Sequence, residues 1–322
     1  MEYLPAFTRH RPATVEEAVR LRAAEPRSFY LAGGTDLIVN VRRGIETPTA
    51  LIDLGGIAAL HGIVDDGAGL RIGAAVPLAE LAAHPMVRAR HAAVAQAAAA
   101  VAGPTHRNYG TVGGNLCLDT RCLFYNQSEW WRHSNDYCLK ERGDVCHVAP
   151  SGGFCFAAFS GDVAPAMLVM GAEVELAGPN GTRRIALDAL YNDDGRAHLT
   201  KAPDELLTVV HLPRVDLKSA YEKARVRGAI DFPLAGVAVG LRMAGAKVAD
   251  LRVAMTGVNP RPMLVEGLAD FIGKPLDEAA LDRLRDMARA QSKPMKTTTV
   301  KPWYRRRVVG NLARRVAAGL GG

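Results

Sequence analysis

Apolar positions recur with two periods along this 322-residue chain, and the changes between them outline its elements. Thr14 followed by Glu17 forms a capping box, which predicts a first helix over about 14–25. The segment SFYLAGGTDLIVNVRRG (28–44) reads as a strand, a tight turn at two glycines, and a helix. Short strands are expected at 50–54 and 70–76, then helices at 77–85 and 87–103, the second favoured by its alanines. A helix over 163–171 leads into a hairpin over 173–187 that turns at Pro179, Asn180 and Gly181. Another strand follows at 205–213. Beyond a plausible boundary at 213–218, strand-like runs at 220–227, 234–243 and 248–258 precede helical stretches near 262–271, 277–291 and 304–319. Strands followed by helices predict a C-terminal α+β domain with a three-stranded antiparallel sheet and a helix bundle.

Composition narrows the class. The length suffices for two domains with their own cores. No apolar run reaches the roughly 18 residues that cross a bilayer, and the first residues lack a basic head followed by an apolar stretch. A cytoplasmic location without membrane association is therefore expected. Formal charge is +7, and it is concentrated: from Lys293 onward there are eight Lys or Arg and no Asp or Glu. Apolar residues interleave with these at helical spacing, which reads as a packed helix with a basic face rather than a nucleic-acid surface.

Two glycine segments are candidate phosphate cradles, Ala32–Asp36 and Gly110–Asn115. Glycine lets backbone amides approach a phosphate closely. Neither segment matches the dinucleotide fingerprint or the lysine-containing phosphate loop.

All five cysteines fall between Cys117 and Cys155. In a reducing compartment such clustering reads as metal ligation rather than a disulfide framework. Four of them, Cys122, Cys138, Cys146 and Cys155, are separated by 15, 7 and 8 residues. Four thiolates suit a [4Fe-4S] cluster or a structural zinc, and this spacing has neither the short pairs usual for zinc nor a ferredoxin run. Cys117 adjoins the second glycine segment and reads as a small buried residue. Neighbouring aromatics, among them Tyr125, Trp130, Trp131 and Phe159, would pack a small lobe around such a centre.

FYLAGGTDLIVNVRRG, RNYGTVGGNL (107–116), SGDVAPAMLVMGAEVEL (160–176), YEKARVRGAIDFPLAGVAV (221–239) and WYRRRVVGNLARRV (303–316) occur in this order. Together they resemble the FAD-binding subunit of the xanthine dehydrogenase family of molybdenum hydroxylases. The resemblance implies a PCMH-type FAD-binding domain of two subdomains over 1–215, the first being about 1–56. It also implies a C-terminal flavoprotein domain over 216–322. Carried onto this sequence, Leu31, Ala32, Gly33, Gly34, Thr35 and Asp36 would wrap the FAD pyrophosphate, and Thr111, Gly113, Gly114 and Asn115 would form a second phosphate and ribitol contact. Asp162 would bond the adenosine part, Lys223 would lie near the isoalloxazine, and Val101 would pack on the cofactor.

One stretch departs from the family. Asn115 and Asp162 are 47 positions apart, where relatives have a short link. The excess, about 118–158, is a cysteine-rich insertion and holds Cys122, Cys138, Cys146 and Cys155. Within the family it resembles the β subunit of 4-hydroxybenzoyl-CoA reductase. That resemblance implies a [4Fe-4S] cluster fed by ferredoxin, with electrons passing through FAD to a small subunit carrying two [2Fe-2S] centres. They would end on a large molybdenum-cofactor subunit, in a dimer of heterotrimers. No catalytic acid–base pair or nucleophile is expected in this chain. The rivals are a conventional hydroxylase FAD subunit working towards NAD with zinc in the insertion, and a zinc-stabilised nucleic-acid or scaffold protein.

Overall fold

A computed structural model describes residues 4–321. Three sheets form in chain order. β1 (Thr8–His10), β2 (Ser28–Leu31) and β3 (Ala50–Asp53) make a small parallel sheet with β3 in the middle. The helix Val15–Ala24 connects its first two strands. Its start is capped as expected: Thr14 Oγ1 accepts from Glu17 N at 3.1 Å, and Glu17 returns a bond to Ala13 N at 2.8 Å.

β4 (Ile63–Asp65), β5 (Gly69–Gly73), β6 (Glu173–Gly178), β7 (Gly181–Ala186) and β8 (Leu206–Pro213) form an antiparallel sheet in the order β4-β5-β8-β6-β7. The β6–β7 hairpin turns where the sequence places it, with Gly178 paired to Gly181. Between β5 and β6 the chain leaves the sheet for about 100 residues and returns. Its helices Ala92–Ala100 and Val163–Val169 fill the main core against the sheet. The expected long helix over 87–103 is two helices, because His91 leaves helical geometry at φ −136° between Pro85–Arg90 and Ala92–Ala100.

The third sheet contains β9 (Lys218–Ala224), β10 (Ala235–Ala244), β11 (Lys247–Thr256) and β12 (Met263–Leu264), all antiparallel. The two residues of β12 add a fourth strand to the expected three. They lie where a helix is predicted near 262–271. Pro260 and Pro262 remove amide donors there, and Gly267 at φ +80° breaks any continuing turn, leaving only a short 3-10 turn at Leu268–Phe271.

Strand β10 explains how the two halves join. Val237, Val239 and Leu241 pack under the helices Glu278–Gln291 and Pro302–Gly321, while Ala238 enters the main core from the opposite face. The sheet is thus covered on both sides.

Candidate functional site

β2 ends at Leu31 and the chain turns through Ala32–Thr35 into the short helix Leu37–Arg42, with Asp36 at its start. Gly34 has φ +69°, a conformation that strains any residue with a side chain. Gly33 is glycine for another reason. A Cβ there would overlap the carbonyl of Tyr109 and stand 3.0 Å from Gly110 N, so the two glycine loops lie backbone against backbone. Among the described residues, the amides of Gly33, Gly34, Thr35 and Asp36 donate to no protein acceptor. Four consecutive amides left available in a half-buried turn fit a phosphate diester.

The second loop is braced from within. Thr111 Oγ1 accepts from Gly114 N at 3.1 Å, Gly113 N donates to Ala74 O at 2.8 Å, and Asn115 Oδ1 accepts from Val163 N at 3.0 Å. The Asn115 carboxamide oxygen therefore anchors the helix Val163–Val169, and only its amino group remains for a ligand. Gly114 is exposed.

Asp162 and Lys223, expected at opposite ends of the cofactor, stand side by side. Both side chains are nearly fully buried, with Lys223 Nζ donating to Asp162 Oδ2 at 3.0 Å and Tyr221 Oη donating to Oδ1 at 2.6 Å. Burial pushes the Asp162 carboxyl upward in pKa, against the pull of the Lys223 ammonium and the Tyr221 hydroxyl. Lys223 also lines an open groove of about 400 Å³, with Ala100, Ala102, Arg107 and Arg225. Val101, half-buried at the end of the alanine helix, lies beside that groove and packs on the main core. The groove is within the size range of small-molecule sites.

The cysteine-bearing segment begins and ends at one point. Arg121 N donates to Ala158 O at 2.7 Å and Ala158 N returns a bond to Arg121 O at 2.8 Å, which closes the base of a lobe over 122–157. The Arg121 side chain reaches the first glycine loop, pairing with Asp36 and lying 5.0 Å above the ring of Phe232. Sequence reasoning missed this link because nothing near Arg121 marks its partner. Arg132 organises the lobe interior. Only 1 % exposed, it donates to Glu129, to Glu141 and to the Gly44 carbonyl of the N-terminal region.

Cys122, Cys138, Cys146 and Cys155 are buried and unpaired, and all four line one tight cavity of about 10 Å³. The sequence separation of these residues gave no hint of how the loops would bring them together. Cys117 lies outside this cavity, packed on the main core with its amide bonded to Gly113 O. His147 also lines the cavity, and its Nε2 lies 2.6 Å from Tyr137 O, while His133 is exposed. One backbone amide reaches a sulfur: Ala157 N donates to Cys155 Sγ at 3.4 Å. Burial raises three of the thiols, Cys138 and, further, Cys122 to about 11 and Cys155 to about 12. As free groups they are protonated, and a bound metal would be needed to hold them as thiolates. Among the described residues, no three His, Cys, Asp or Glu side chains form a group able to hold a single metal ion. No helix of the described residues is long and apolar enough to cross a membrane.

Two adjoining glycine turns, a cationic groove and an α+β frame with a closing antiparallel sheet define a flavoprotein subunit of the molybdenum hydroxylase type. The profile described as the FAD-binding domain in molybdopterin dehydrogenase matches residues 5–215, and that of the CO dehydrogenase flavoprotein C-terminal domain matches residues 219–320. The chain belongs to this family of FAD-binding subunits of molybdenum oxidoreductases. It is 36 % identical to the aldehyde oxidoreductase FAD-binding subunit PaoB of Escherichia coli, over 82 % of this chain and 85 % of that one. Against the carbon monoxide dehydrogenase medium chain of Hydrogenophaga pseudoflava it is 28 % identical over 97 % and 96 % of the two chains. A solved structure of carbon monoxide dehydrogenase from that organism superposes with a TM-score of 0.82 at 26 % identity, covering 99 % of this chain and 98 % of the other.

Proposed function

We propose that the chain is the electron-transfer subunit of a molybdenum-containing 4-hydroxybenzoyl-CoA reductase, binding one FAD and one [4Fe-4S] cluster. The observation that carries this reading is the meeting of Cys122, Cys138, Cys146 and Cys155 around one cavity in a lobe tied to the first glycine loop. A zinc ion at about 2.3 Å from four sulfurs would hold them roughly 3.8 Å apart. Four thiols lining one shared space in a lobe tied to the proposed flavin loop would give an iron–sulfur centre a partner for electron exchange, which zinc would not use. The Ala157 amide, donating to Cys155 Sγ at 3.4 Å, is the kind of hydrogen bond that tunes such a centre.

FAD would lie with its pyrophosphate on the amides of Gly33, Gly34, Thr35 and Asp36. The second loop would contribute through Thr111, Gly113 and Gly114, and Leu31, Ala32 and Asn115 would support the two loops from behind. Lys223 and Asp162 would serve the flavin end, with Val101 on the groove wall. When bound, the flavin supplies the step between one-electron carriers and a two-electron reaction. Residues 1–215 and 216–322 are the proposed domains, with 118–158 as the inserted lobe. Partners would be a large molybdenum-cofactor subunit and a small subunit with two [2Fe-2S] centres, as a dimer of heterotrimers, with ferredoxin as donor.

The test is anaerobic purification with iron, acid-labile sulfide and flavin analysis. About four irons and one FAD per chain are expected. The Cys122→Ser variant should lose iron and keep most flavin. Zinc without iron would instead favour the second reading, a conventional molybdenum hydroxylase FAD subunit delivering electrons to NAD with a structural zinc in the lobe.

A further inference from the structure

Lys140 lines the thiol cavity, yet its side chain is only 4 % exposed. Burying an ammonium is costly unless every proton is engaged and an opposite charge is near. All three donors are in fact engaged: Asp119 Oδ1 accepts at 2.6 Å, Gly195 O at 3.0 Å, and Thr120 Oγ1 accepts the third. The ring of Tyr125 covers the same nitrogen at 4.8 Å. Lys140 therefore cannot swing to a sulfur or to solvent. It stands as a fixed positive charge at the cavity wall, with its one ion-pair partner behind it. That partner is itself incompletely satisfied, since Asp119 Oδ2 is buried and bonds to nothing among the described residues. The ionisable groups facing this pair include Glu46, Glu141, Tyr125 and His198, while Arg305 approaches from the side of Cys122.

We propose that Lys140 is the fixed counter-charge of the thiolate centre and, with Asp119 as its opposing charge, sets the potential at which that centre accepts an electron. The inference rests on the iron–sulfur reading above. The physical step is the uptake of one electron by the cluster from a mediator dye, with no bond broken and no proton required. Each electron added makes a thiolate-ligated cluster more negative. A buried cation at its edge stabilises the reduced state more than the oxidised one and raises the potential, and a carboxylate beside it lowers the potential.

The experiment is an anaerobic redox titration of the iron-loaded protein, followed by the electron paramagnetic resonance of the reduced cluster, for wild type, Lys140→Gln and Asp119→Asn. Iron is counted first. Lys140→Gln should lower the midpoint and Asp119→Asn should raise it, each by at least about threefold in the reduction equilibrium, or ~28 mV at 59 mV per tenfold for one electron. Lys140→Arg, which keeps the charge, should stay close to wild type. Loosened packing alone would not move the two neutral variants in opposite directions. Should Lys140→Gln fail to keep iron, the upward shift in Asp119→Asn decides the matter. Iron present with unmoved midpoints, or with both variants shifted the same way, overturns the role of Lys140 alone. Wild type without iron overturns both this role and the reading beneath it.

Discussion

Gly33→Ala is the sharpest single perturbation of the proposed cofactor site. The added methyl would overlap the carbonyl of Tyr109 and meet Gly110 N at 3.0 Å. These are backbone atoms, so no side chain can rotate aside, and the loops 32–36 and 107–115 must separate. Overpacking of this kind costs about 1–3 kcal/mol. The separation displaces the free amides of the first loop from the second, so the cost falls on FAD binding as well as on folding. At about 1.4 kcal/mol per tenfold, FAD affinity should drop between roughly 5-fold and 150-fold. The melting temperature should fall by about 2–4 °C per kcal/mol for a protein of this size class. Two neighbours calibrate the result. Gly114→Ala meets only Thr111 Oγ1 at 3.0 Å and should weaken binding far less. Gly34→Ala carries the roughly 1–2 kcal/mol of a left-handed backbone, and its methyl meets only the flexible ends of Ile38 and Leu31. Titration of flavin-stripped protein with FAD, read by flavin fluorescence, measures all three. A Gly33→Ala protein that binds FAD as tightly as wild type would refute the placing of the cofactor between these loops.

Three further outcomes are expected. Lys223→Met leaves the buried Asp162 without its cation and should destabilise the protein by about 3–5 kcal/mol in chemical denaturation, with part recovered in the Asp162→Asn/Lys223→Met double variant. His91 and His198 are buried and held to about 4, below the unfolded value of 6.5, and neither nitrogen of the His91 ring has a partner among the described residues. The unfolded chain therefore binds more protons between pH 6.5 and 4, so stability is full above 6.5 and is lost on acidification through that window. The loss is about 3 kcal/mol per histidine, and His91→Leu should flatten the pH dependence of the melting temperature. Arg121→Gln cuts the tie between the lobe and Asp36, and hydrogen exchange of the Ile38 and Asn40 amides, which bond to the Gly34 and Asp36 carbonyls, should rise.

Much of this molecule is written locally. The Thr14–Glu17 capping box, the β6–β7 turn and the strand β10 each depend on residues within a few positions of one another, and each forms where its pattern predicts. The helix expected near 262–271 fails for an equally local reason, two prolines and a left-handed glycine, which outweigh an apolar run. Even the split of the alanine helix at His91 is a local departure, though no residue type announces it.

By itself, then, the sequence determined the element types, the two glycine turns and the confinement of every cysteine to one stretch, because propensity, capping and backbone freedom act over a few residues. Only the tertiary structure decided that Cys122, Cys138, Cys146 and Cys155 share one cavity, that Asp162 and Lys223 are partners rather than opposite ends of a site, and that Arg121 joins the lobe to Asp36. Such meetings are fixed by how packed layers return distant segments to one place, and a buried charge finds its partner across space with no trace in the spacing of residues along the chain.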